Sequence, residues 1–245
     1  MTVAAAHIDQ LMERASSALG ATNYFEAETL CLKALTRCAA ANDFDRMARI
    51  CLPLQEARRQ KREEAVDSGR CMIIQSLPKR SDPIEPGCYL LEPPLIGIEA
   101  VTMRELCDRR KVPALVLCRE PRTSAGKWPI VGVSGTDRES LVVRVQVEPP
   151  TEFDLPDNRQ QQQPRQGPAP SWFVRTQEAL GDAAIAKIKP DLPPDWRAMD
   201  LFEMLRAVPD HEKLIQALMA ACELAAKSPL SEKPRRRAVF DDCSF

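Results

Sequence analysis

The chain has only two histidines, His7 and His211, and no CxxC pair among its nine cysteines. Zinc needs clustered thiolates or imidazoles, and neither histidine stands near a cysteine pair, so no metal ligand is assigned. Cys31, Cys38, Cys51, Cys71, Cys88, Cys107, Cys118, Cys222 and Cys243 sit mostly within apolar runs, where a free thiol behaves as a small hydrophobe. Their odd number agrees with reduced thiols. Charge of one sign is also lacking. The net charge of −1 leaves no domain-wide basic excess, which phosphate neutralisation on a nucleic acid would call for. No apolar run approaches the roughly 20 residues of a membrane span. The opening MTVAAAHIDQLMER meets acidic and polar residues too early for the apolar core of a secretory signal. The expectation is a soluble, cytoplasmic chain with neither membrane nor nucleic acid as partner.

What is present is ample apolar content, 44% over 245 residues, enough for one large domain or two smaller ones. A first helix is predicted from about Ala4 to Leu19, with Ile8, Leu11, Ala15, Ala18 and Leu19 apolar and Gly20 as its stop. In NYFEAETLCLKAL, residues 23–35, Ala27, Leu30, Cys31 and Ala34 recur at three- and four-residue spacing, which puts them on one helical stripe. The short connection makes the two helices antiparallel. A third helix follows in NDFDRMARICLPLQEARR, where Met47, Ile50, Cys51, Leu54 and Ala57 keep the spacing and Pro53 is expected to bend the helix or remove a hydrogen bond. Arg58, Arg59, Lys61 and Arg62 lie beside Glu56, Glu63 and Glu64 and read as a solvated helix end with local ion pairs.

Asn23, Tyr24, Glu26, Ala27, Lys33, Ala34 and Leu35 follow one another in the order of a tetratricopeptide repeat's second helix, which this stretch resembles. The first helix departs from the pattern, with Leu11 and Ala15 in place of the repeat's large aromatic and glycine, so the resemblance covers about one hairpin. It implies a helical hairpin that presents a surface to another protein. Tyr24, Phe25, Glu28 and Lys33 are the candidate protein-binding residues.

From about Arg70 the pattern shortens. CMIIQS (71–76), CYLLE (88–92), ALVLC (114–118), PIVGVS (129–134) and LVVRVQV (141–147) read as five strands bounded by turn residues. In the last, Leu141, Val143, Val145 and Val147 alternate with a largely polar set. IEAVTMRELCDRRKV supplies one helix to pack on the sheet. Gly126-Lys127 is not a phosphate loop, because Pro121 stands where the first glycine belongs and Trp128 where a hydroxyl residue belongs. Cys118 and Glu120 end a strand with no histidine nearby in sequence to activate the thiol. Cys118, Glu120, Lys127 and Trp128 form the rim of an alternative ligand site.

Prolines 149, 150, 156, 164, 168 and 170 surround NRQQQQPRQG, a tract with too little apolar surface to offset the entropy of ordering it. Beyond it Trp172, Thr176, Ala179, Leu180, Ala183, Ala184 and Ile188 form a helical stripe. Asp195 is a candidate cap for a helix holding Trp196 and Phe202, and Asp210 for one holding Leu214, Leu218 and Cys222. His211, just after Pro209, reads as a surface residue. KPRRR (233–237), followed by Asp241 and Asp242, reads as a solvated tail.

The expected architecture is α+β: an N-terminal helical hairpin region (1–68), a small, mostly antiparallel β domain with one helix (69–153), a Pro/Gln-rich linker (154–170), a C-terminal helical bundle (171–230) and a flexible tail (231–245). The expected function is a non-catalytic scaffold or adaptor that binds protein, with no cofactor and no catalytic residue assigned. The alternatives are a ligand-binding or enzymatic β domain, and a nucleic-acid-associated protein using the basic runs.

Overall fold

The structure, a computed structural model, describes residues 3–135, 141–153 and 165–232. Within them lie seven α-helices and one six-stranded mixed sheet, an α+β architecture with helices before and after the sheet. None of these helices is long and apolar enough to cross a membrane. The chain divides into two compact units. The first holds the residues up to Lys61, Ile185–Leu205 and those from Glu212; the second holds Arg62–Ala184 and Arg206–His211.

In the first unit, α1 (Val3–Gly20) and α2 (Tyr24–Ala41) form the expected hairpin. Helix α1 stops at Gly20, as expected, and Thr22 takes the left-handed backbone at the turn, with φ 60°. The amide of Asn23 donates to the Ala18 carbonyl at 2.8 Å and so satisfies one of the last carbonyls of α1. Ile8, Leu11 and Ala15 of α1 are buried, as are Ala27, Leu30, Cys31, Ala34, Leu35 and Cys38 of α2, so the stripe read from spacing is the core stripe. Asn42 then ends α2 in a left-handed conformation while Asp43 opens α3 (Phe44–Asp67), its Oδ1 accepting from the Arg46 amide. Helix α3 runs through Pro53, which leaves the Arg49 carbonyl without its helical donor. Arg46 joins α3 to α1, donating twice to the Asp9 carboxylate at 2.7 and 3.0 Å. That hydrogen-bonded pairing lowers the Asp9 carboxyl below its ordinary range. Met47, Ile50, Cys51 and Leu54 are buried in this unit, with Leu214, Leu218 and Cys222 of the last helix.

The second unit is built on β1 (Cys71–Ile74), β2 (Gly87–Leu91), α4 (Gly97–Arg110), β3 (Ala114–Arg119), β4 (Trp128–Val133), β5 (Val142–Val147) and β6 (Arg165–Gln166). The order across the sheet is β5-β4-β3-β2-β1-β6. Three ladders are antiparallel, as expected of most of the sheet, but β1, β2 and β3 run parallel. Parallel neighbours need a crossover. Between β2 and β3 it is α4. Between β1 and β2 it is an irregular segment, residues 75–86, which Arg110 fastens by donating to the carbonyls of Lys79, Arg80 and Asp82.

One face of the sheet packs on α4 through Ile74, Tyr89, Leu91, Ala100, Met103, Cys107, Val116, Cys118 and Val131. Side-chain alternation sends Ile73, Leu90, Leu117 and Ile130 to the other face, where all four are buried. The Pro/Gln-rich segment lies outside the described residues at 154–164, and its next two residues pair with β1 as β6. Helices α5 (Pro170–Ala186), α6 (Pro194–Ala207) and α7 (Glu212–Ala226) complete the chain, and α5 and α6 each pass from one unit to the other. Asp195 lies in the first turn of α6, and its carboxylate accepts from the Ser231 amide rather than capping the helix. The KPRRR segment lies outside the described residues.

Candidate functional site

Tyr24, Phe25, Glu28 and Lys33 lie on α2, but they do not form one outward face. Glu28 is 9% exposed. Its carboxylate accepts from Arg58 Nε at 2.6 Å and from Lys61 Nζ at 2.5 Å, and the Lys61 ammonium also stands 4.3 Å from the centre of the Phe25 ring. Burial by itself raises the Glu28 carboxyl, but the two cations outweigh it and hold the group down to about 2. Glu28 and Phe25 therefore join α2 to α3, Tyr24 is half-buried, and Lys33 alone of the four is exposed.

Lys33 belongs to a different stripe. With Thr29, Leu32, Thr36 and Arg37 it lines a shallow depression of about 430 Å3 on the outer side of α2. The Thr29 and Thr36 hydroxyls donate to the carbonyls of Phe25 and Leu32, each at 2.8 Å, so two of its polar groups are already satisfied within the helix. No acid accompanies Lys33 and Arg37 in the C-terminal half of α2.

The basic run of α3 differs from the solvated, locally paired end expected. Arg58 is buried on Glu28, and Arg59 donates to Glu212 of α7 at 3.0 Å as well as to its neighbour Glu56 at 3.0 Å. Arg62 donates to the Asp210 carbonyl. Most of these ties join distant parts of the sequence.

In the second unit, Cys118, Glu120, Lys127 and Trp128 do not meet at one rim. Cys118 is fully buried against α4, and burial pushes its thiol up to about 12, far from a reactive thiolate. Glu120 is occupied by Arg144 of β5 through contacts of 2.9–3.2 Å, and Lys127 pairs with Glu148 at 3.4 Å. Trp128 lies two residues before Ile130 and so faces away from α4, with the Arg119 guanidinium 4.9 Å from its ring centre.

That second face carries a polar centre that sequence reading missed. Glu92, 2% exposed, follows β2 at the carboxyl end of the parallel strands. It accepts from Gln75 Nε2 at 3.1 Å, just past β1, from Arg119 Nη2 at 2.7 Å, at the end of β3, and from Arg165 Nη2 at 3.0 Å, at the start of β6. Beside it Trp128 makes edge contacts with Phe153 and Trp172, and Trp172 with Phe173. Carboxyl ends of parallel strands are a common place for ligands, but this carboxylate is already saturated by protein donors. The available signal was the charge that directly follows each apolar run, Glu92 after CYLL and Arg119 after ALVLC.

His211 also departs from expectation: it is fully buried rather than at the surface. Its ring fills the space that Gly181 leaves open on α5, and Nε2 stands 3.5 Å from the Asp182 carboxylate and 3.9 Å from that of Glu178. Among the described residues no three histidine, cysteine or acidic side chains are grouped to hold a metal ion. Comparison with protein-family models, with curated proteins and with solved structures finds no match to this chain.

Proposed function

We propose that the protein is a non-catalytic interaction scaffold or adaptor that docks an acidic segment of a partner protein on the outer side of α2. The observation that supports this most directly is the stripe of exposed Thr29, Lys33, Thr36 and Arg37 with half-buried Leu32 around its depression, with two cations and no acid. The resemblance to a tetratricopeptide hairpin points the same way. The reading includes a cytoplasmic location, which the eight free, buried thiols among the described residues support. It sets nucleic acid aside because Arg58, Arg59 and Lys61 are engaged with carboxylates. It sets a cysteine nucleophile at Cys118 aside because that thiol is buried and raised.

The test is affinity capture at low and high salt with the intact chain and with the double charge reversal Lys33→Glu/Arg37→Glu. The expected result is a partner set that weakens with salt and disappears with the reversal, while thermal unfolding is unchanged. Equal capture by the reversed protein refutes the α2 surface.

A further inference from the structure

We propose that Gln177 anchors a single internal water molecule between α5, the sheet and the segment that joins α6 to α7. Gln177 is 2% exposed, and neither Nε2 nor Oε1 has a hydrogen-bond partner. A buried primary amide offers two donors and a two-lone-pair acceptor, and leaving them unmet costs the full desolvation of the group. This residue is not surrounded by hydrocarbon alone. It lines a cavity with Leu117, Gly132, Val208, Arg104 and Asp210 among its other walls.

The size of that cavity decides its occupant. About 10 Å3 of it is open to the centre of a water molecule; a compact region of that volume is about 2.7 Å across, no wider than the spacing of two hydrogen-bonded oxygens, so it holds about one water. A metabolite or a hydrated ion needs far more. Polarity agrees with size, because a retained internal water needs two to four polar partners, and the polar residues Arg104 and Asp210 line the cavity with Gln177. Gly132 shows how closely the walls approach. A side-chain carbon there would lie 2.8 Å from the Ala207 carbonyl oxygen, so the joining segment is held against β4 at this point. The water completes the hydrogen bonding of α5 where that contact leaves a gap too small for a side chain.

The experiment is a high-resolution crystal structure of the whole protein, paired with nuclear Overhauser measurements between solvent and the Gln177 side-chain NH2. The expected result is one ordered water within hydrogen-bond reach of the amide, and a cross-peak whose sign marks a long-lived hydration site. In Gln177→Leu the density is expected to vanish. An empty cavity in the unaltered protein, or a water that persists unchanged in Gln177→Leu, overturns the proposal. The unaltered protein alone decides the matter if the leucine variant does not fold.

Discussion

Glu28→Gln removes one charge from the centre that joins α2 to α3 and leaves Arg58 buried against a neutral amide. The carboxyl falls from an ordinary 4.5 to about 2 in the folded chain, and at about 1.4 kcal/mol per pKa unit the pairing contributes about 3 kcal/mol. Because the folded-state pKa is depressed, that contribution is fully present above the unfolded value of 4.5 and is lost as pH falls toward about 2. By the same linkage, about 2 kcal/mol of it is already gone near pH 3. Removing one partner of a buried pair costs about 3–5 kcal/mol at neutral pH, in agreement with the linkage figure. Urea unfolding of the wild type and of Glu28→Gln, at neutral pH and at about pH 3, measures both quantities. The difference between the two proteins is expected to be large at neutral pH and to shrink by about 2 kcal/mol in acid, since protonated Glu28 and glutamine are nearly the same group. A difference that stays constant with pH, or a variant as stable as the wild type at neutral pH, refutes the account of this centre.

Gly181→Ala drives a methyl group into the His211 ring, which is fully buried and has no room to yield; a loss of about 1–3 kcal/mol in thermal unfolding is expected. Gly181→Ala combined with His211→Ala is expected to be no less stable than His211→Ala alone, and a purely additive loss counts against the clash. Cys31, Cys38, Cys88, Cys118 and Cys222 are pushed up to about 12 mainly by burial. Iodoacetamide at about pH 8 is therefore expected to leave them unmodified in the native protein and to label them in urea, since the thiolate is the reactive form. Peptide mass analysis reads the outcome, and rapid native labelling of Cys118 would contradict its burial.

Much of the local structure was legible in the residues. The stripe of Ala27, Leu30, Cys31 and Ala34 is buried as its spacing required, and each of the five apolar runs from Cys71 to Val147 carries a strand. Charges were harder to read. Arg58 stands close to Glu56 and Glu63 in sequence, but its buried partner is Glu28, thirty positions away on another helix. His211 read as exposed because the residues beside it are polar or proline, and its burial depends on the missing side chain of Gly181. The Glu92 centre draws on Gln75, Arg119 and Arg165, which no short window of sequence contains.

The sequence by itself determined where helices and strands form and which side of each is apolar, because periodicities of 3.6 and 2 are local properties of the backbone. Only the tertiary structure decided that β1, β2 and β3 run parallel, that Cys118 and Trp128 face opposite ways, and which carboxylate each arginine meets. The physical reason is that strand direction, register and buried ion pairing depend on which distant segments close on one another, and a shift of one residue would turn every side chain of a strand to the other face.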